Sequence, residues 1–90
     1  MYTLNEIARV LASVEDEKLI ERFLKSLLTE KETFEVSSRW ELVKLLREGK
    51  SQRNISDELG ISLCKITRGS KELKKRSSAF KRMLEIYEEL

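Results

Sequence analysis

The chain has 90 residues and a mass of 10.6 kDa, with 40% hydrophobic and 38% charged side chains, three glycines and no proline. A chain this short buries only about 60–65% of the surface it exposes when unfolded, so its core is thin and a second copy is a common remedy. One cysteine and no histidine exclude an internal disulfide, a zinc cluster and Ser-His or Cys-His nucleophile pairs.

No apolar run approaches the ~18 residues of a membrane span, and no charged-then-apolar leader opens the chain. A cytoplasmic protein without a membrane partner is therefore expected. Abundant Leu, Glu, Lys and Arg with few turn formers predict an all-α fold of six or seven helices in one domain over residues 1–90. The net charge of +2 conceals an uneven distribution. Residues 1–46 hold 7 Lys/Arg against 9 Asp/Glu, residues 47–82 hold 11 against 4, and the last eight hold none against 3. A basic segment between acidic flanks suggests a polyanion-binding surface, although a solvated helical face would give the same count.

In chain order, Thr3-x-x-Glu6 reads as a capping box, followed by Leu4, Ile7, Ala8 and Leu11 at helical spacing. Ser13 is the expected cap of a second helix, whose Glu15, Asp16 and Glu17 suit the positive end of the dipole. That helix carries a broad apolar face of Leu19, Ile20, Phe23, Leu24, Leu27 and Leu28. The rest of this chain or a second copy must cover it. Thr29-x-x-Glu32 starts a short helix to about Val36, and Ser38-x-x-Glu41 starts another that stops at Gly49.

Ser51 caps a helix over about 52–59 that ends at Gly60, and Ser62 caps one over about 63–72. Lys75-Arg76-Ser77-Ser78 is a polar break, with Ser77 the expected cap of a last helix bearing Phe80, Met83, Leu84, Ile86 and Tyr87. Trp40, Phe23, Phe34, Phe80, Tyr2 and Tyr87 fall on apolar faces, so core or dimer packing suits them better than nucleobase stacking. Glu15-Asp16-Glu17 and Glu88-Glu89 read as dipole compensation and tail solvation rather than acid–base pairs. With no phosphate loop or nucleophile–base pair either, no enzymatic activity is expected.

The two short helices at 52–59 and 63–72 are the informative pair. Ile55, Leu59, Ile61 and Ile66 can form a shared core, Ser56 is small, and Gly60 sits at the turn, as a helix-turn-helix requires. An ordinary helical hairpin would share the glycine turn but not the local basic charge. On the helix-turn-helix reading, the second helix presents Leu63, Cys64, Lys65 and Thr67 to the major groove while Ile66 turns inward. Leu63, Cys64 and the Thr67 methyl offer apolar contact to thymine methyls, and the Thr67 hydroxyl can bond a base edge or a phosphate. Gln52 and Arg53 grip phosphate at the start of the first helix. Lys50, Lys65, Lys71, Lys74, Lys75 and Arg76 add attraction independent of sequence. Cys64 is assigned no redox role.

Ser51-Gln52-Arg53, Glu58-Leu59-Gly60 and Ile66-Thr67-Arg68-Gly69-Ser70, followed by Leu73-Lys74, resemble the bacterial Trp repressor family. Leu28-Thr29 and Arg39, ten residues after Thr29, match the same spacing, so the likeness covers about residues 27–75. The resemblance implies a homodimeric transcriptional repressor of double-stranded operator DNA, with L-tryptophan as corepressor and no other cofactor. It implies N-terminal helices, residues 1–36, interlocked with those of a second chain, a helix-turn-helix at 51–73 and a C-terminal helix at 77–90. By the same likeness, Arg39 and Arg68 sandwich an indole ring. Leu28 and Thr29 come from the partner chain, and Gly69 leaves room beside the ring. Bound tryptophan would then set the two reading helices at the separation of successive major grooves. Glu72 stands near the ligand ammonium, where its carboxylate could pair with that group or bond Lys71 or Lys75 instead. Position 26 is serine, and the segment from Arg39 to Ser51 is one residue shorter than in tryptophan-binding members. A regulator of the same fold that is constitutive or answers to another ligand stays open, as does a protein-binding helical dimerisation module.

Overall fold

The computed structural model describes all 90 residues as six helices with no strands: α1 (Asn5–Ala12), α2 (Glu17–Leu27), α3 (Glu30–Arg47), α4 (Gln52–Leu59), α5 (Leu63–Lys74) and α6 (Ala79–Glu88). No helix is long and apolar enough to cross a membrane. The chain divides into two compact units, Met1–Phe34 and Glu35–Leu90.

The first unit contains no fully buried residue. Ile7, Leu11, Val14, Ile20 and Leu28 are half-buried, while Leu19, Phe23, Leu24 and Leu27 of α2 remain exposed. Two expected caps are replaced. Leu4, not Thr3, occupies the N-cap of α1, and Thr3 only accepts a long 3.4 Å bond from the Asn5 N–H. Ser13 closes α1 in αR geometry, its hydroxyl donating to the Val10 carbonyl at 2.8 Å. Asp16 caps α2 instead, because its backbone is extended and its carboxylate accepts from the N–H groups of Lys18 and Leu19 at 3.1 and 3.2 Å. An ionised acceptor also answers the positive helix end, which a hydroxyl does not.

Thr29 and Glu32 form the expected reciprocal box. The Thr29 N–H donates to Glu32 Oε1 at 2.9 Å, and the Glu32 N–H donates to Thr29 Oγ1 at 3.1 Å. The helix it starts does not stop near Val36. It runs unbroken to Arg47, so the second start at Ser38 is not used. A cap needs an extended backbone before the helix, and here a helix already precedes Ser38. Glu41, freed from that role, pairs with Lys44 at 3.1 Å.

The second unit holds the core: Leu42, Val43 and Leu45 of α3, Ile55 of α4, Ile66 of α5 and Leu84 of α6. Trp40, Leu46, Leu59, Ile61, Leu73 and Phe80 pack around them. Helix α3 ends at Gly49, whose φ of 93° lets the N–H groups of Gly49 and Lys50 reach back to the Leu46 and Leu45 carbonyls. This paired closure satisfies carbonyls left over at the helix end. Helix α5 packs on both α4 and α6. Ser78, rather than its neighbour Ser77, caps α6 by accepting from the Lys81 N–H at 3.1 Å.

Three contacts fasten α6 to the C-terminal half of α3. Arg47 grips Glu88 with two N–H groups at 2.6 and 3.0 Å. Trp40 meets Tyr87 edge-on at 5.9 Å, and the Lys44 ammonium lies 5.1 Å from the same tyrosine ring.

Candidate nucleic-acid interface

Helices α4 and α5 are joined by the three residues Gly60, Ile61 and Ser62 and form a helix-turn-helix. Each part of the turn has a local cause. Ser51 caps α4 through the Asn54 N–H at 3.1 Å, and Gly60 closes it with φ of 66° and ψ of 30°, a left-handed conformation that glycine adopts without steric cost. Ser62 restarts the helix by accepting from the Lys65 N–H at 3.4 Å. The Ser56 hydroxyl donates to the Ile61 carbonyl at 2.7 Å and ties the turn to α4.

Ile55 and Ile66 are fully buried and face one another's helices in the shared core, with Leu59 and Ile61 half-buried beside them. This inward anchoring of Ile66 turns its neighbours outward. Leu63, Cys64, Lys65, Thr67 and Arg68 are all exposed. Leu63, Cys64, Thr67, Arg68 and Lys71 line one shallow, open groove along α5. The sequence identified Lys71 only as diffuse positive charge, yet its spacing from Thr67 places it on the same helical face.

Gln52 and Arg53 occupy the first two positions of α4. Gln52 is half-buried and Arg53 exposed. The Thr67 hydroxyl donates to Gln52 Oε1 at 2.9 Å, so two separately nominated side chains are joined across the helix-turn-helix. Of the basic residues nominated by sequence, Lys50 is paired with Glu58 at 2.7 Å and Lys75 with Glu72 at 2.8 Å. The Glu58 carboxylate, hydrogen-bonded to Lys50, holds that ammonium above its ordinary value of 10.5. Arg53, Lys65, Arg68, Lys71, Lys74 and Arg76 make no ion pair and leave their full charge for an external anion.

The residues nominated for a small ligand are placed as follows. Leu28 and Thr29 lie at the junction of α2 and α3, within the first unit. Arg39 is exposed on α3, one turn before Leu42 and Val43. Arg68 is exposed on α5 and shares the groove with Thr67 and Lys71. Gly69 lies against α3, where an added Cβ would stand 2.8 Å from Leu42 Cδ1 and 3.7 Å from Val43 Cγ1. Gly69 thus lies on the face of α5 turned toward α3. Of the partners open to Glu72, Lys75 is the one it bonds.

The family model described as Trp repressor protein matches residues 2–88. The chain belongs to the Trp repressor family. A Trp operon repressor homolog of Vibrio parahaemolyticus is 37% identical over 82 residues, covering 90% of this chain and 80% of the relative. A Chlamydia trachomatis serovar D protein of the same description is 33% identical over 75 residues, covering 82% and 80%. One from Vibrio vulnificus is 40% identical over 70 residues, covering 77% and 69%. No solved structure matches the chain significantly. As a Trp repressor family member, the chain is a regulator built around its helix-turn-helix.

Proposed function

We propose that this Trp repressor family protein is a homodimeric, sequence-specific repressor that binds double-stranded operator DNA and takes L-tryptophan as corepressor. The observation that carries the DNA-binding part is the outward face of α5. Ile66 is fully buried against Ile55, while Thr67, Arg68 and Lys71 line a groove along the same helix and Lys65 is exposed beside them. This is the arrangement by which helix-turn-helix proteins, the Trp repressor among them, set a recognition helix in the major groove. On this reading Leu63, Cys64, Lys65 and Thr67 contact base edges, and Gln52 and Arg53 hold phosphate. Unpaired Lys71, Lys74 and Arg76 supply affinity that falls with salt.

Dimerisation through residues 1–36 is supported by the first unit's exposed Leu19, Phe23, Leu24 and Leu27. An apolar face of this extent is stable when a second copy covers it. Residues 51–73 then serve as the reading head, in a cytoplasmic protein. The corepressor role rests on family membership together with Leu28, Thr29, Arg39, Arg68, Gly69 and Glu72. Two guanidinium planes can sandwich an indole, and the Glu72 carboxylate can exchange Lys75 for the ligand ammonium.

One observation favours a second reading, a regulator of this fold that is constitutive or uses another ligand. Glu72 already has a cationic partner, and Leu42 fills the space beside Gly69. The deciding experiment measures binding to a duplex selected from a randomised library, with and without L-tryptophan, alongside titration calorimetry. Tighter binding to the selected duplex than to random DNA on adding tryptophan, abolished by Arg68→Ala, supports corepression. No heat and no change in binding would establish the second reading.

A further inference from the structure

The Thr67 hydroxyl donates its proton to the Gln52 side-chain oxygen across 2.9 Å. A threonine hydroxyl has one proton to give and two lone pairs to receive. With the proton engaged by Gln52, the oxygen of exposed Thr67 faces outward as an acceptor only. The other end of the Gln52 amide is an NH2 group with no partner inside the protein, hence a donor. Hydrogen bonds in series also polarise one another, which strengthens both outward-facing ends.

Resting on the DNA-binding reading above, we infer that Gln52 is a specificity-determining residue. By fixing the Thr67 hydroxyl as an acceptor, it makes Thr67 read the amino group of an adenine or a cytosine in the major groove, while its own NH2 group holds a phosphate. The chemistry of the groove follows from the bases. Adenine N6 and cytosine N4 are donors, whereas guanine O6 and N7 and thymine O4 are acceptors. A fixed acceptor is repelled by the second set and equally by phosphate oxygens. Every base pair carries one such amino group, so the selection is for orientation: which strand bears the amino base at that step. A free threonine would not make this selection, because its hydroxyl rotates to donate or accept as the base requires.

The test uses the full chain and the tightest duplex recovered from a randomised library with the wild-type protein. Each base pair is inverted in turn, and binding is measured by fluorescence anisotropy for wild type, Thr67→Val, Gln52→Leu and Gln52→Glu. One inversion is expected to weaken the wild type by about three- to tenfold, the worth of one hydrogen bond, and Thr67→Val by no more than about twofold. Gln52→Leu frees the hydroxyl and should lose the same preference, and the double variant should lose no more of that preference than either single one. Gln52→Glu keeps an acceptor for the Thr67 proton, so it should retain the preference while binding all DNA more weakly. Thermal melts of each variant report loss of folding separately. A preference retained by Gln52→Leu, or lost in a folded Gln52→Glu, overturns this inference alone. Failure of the wild type to bind any duplex overturns the DNA-binding reading itself.

Discussion

Leu42 of α3 occupies the space that the missing side chain of Gly69 leaves on α5, with Leu42 Cδ1 2.8 Å from where a Cβ would stand. Leu42 is buried among Val43, Ile55 and Ile66, so it has little room to withdraw. The glycine that precedes Ser70 in the reading helix therefore sets how closely α5 approaches the core. Gly69→Ala gains about 0.5–1 kcal/mol of helix propensity. Overpacking costs about 1–3 kcal/mol and outweighs it. A net loss of about 1 kcal/mol is expected in urea or thermal unfolding, with part of it recovered by adding Leu42→Val.

Acidification should weaken the fold through Glu32 and Glu88. The Thr29 backbone N–H and then its hydroxyl hold the Glu32 carboxyl below the ordinary 4.5, and the Arg47 hydrogen bond does the same for Glu88. Both groups bind protons more weakly when folded. Their stabilisation is thus present above pH 4.5 and is lost as the pH falls through the lowered folded values. Thermal melts should drop in that acid range, and Glu32→Gln or Glu88→Gln should flatten the dependence. Glutamine at position 32 can still cap α3, so that variant should stay close to wild type at neutral pH.

The N-terminal helices and the reading head differ in how openly the sequence displays them. Ser51, Gly60 and Ser62 are legible because each does its work locally, within three or four residues. So are Ile55 and Ile66, whose spacing leaves them no other face. Ser38 misleads for a physical reason: Ser-x-x-Glu signals a start only where the preceding backbone is extended, and nothing between Glu30 and Arg47 interrupts the helix. The adjacent Ser77 and Ser78 offer the same hydroxyl, and composition does not choose between them. Contacts that span the chain are the least legible. Arg47 and Glu88 are 41 residues apart, and Gln52 and Thr67 are 15 apart. Neither pairing follows from local spacing, although the helix-turn-helix brings the start of α4 beside the middle of α5.

Dimerisation should show as a concentration-dependent melting temperature, since unfolding then also separates two chains. Leu27→Lys introduces a charge on the exposed apolar face of α2. Sedimentation equilibrium should find the wild type dimeric and the variant monomeric or unfolded. A wild-type protein that stays monomeric across micromolar concentrations would remove the proposed assembly.

Lys74 makes no ion pair in the protein, unlike Lys50 and Lys75. Lys74→Ala should therefore weaken binding to every duplex alike and reduce the slope of log affinity against log salt by about 1. Glu72→Gln should act in the opposite sense by releasing Lys75. Anisotropy titrations at several salt concentrations measure both effects.

The proposed role of α4 and α5 stands or falls on one comparison of DNA affinities. A selected duplex and a random duplex are titrated with wild type and with the Arg53→Ala/Thr67→Ala double variant at fixed salt. The wild type is expected to prefer the selected duplex by about a thousandfold or more; the folded double variant should bind both duplexes more weakly through the lost Arg53 contact and lose about three- to tenfold of that preference through Thr67. A double variant that binds the selected duplex as tightly and as selectively as wild type would contradict it.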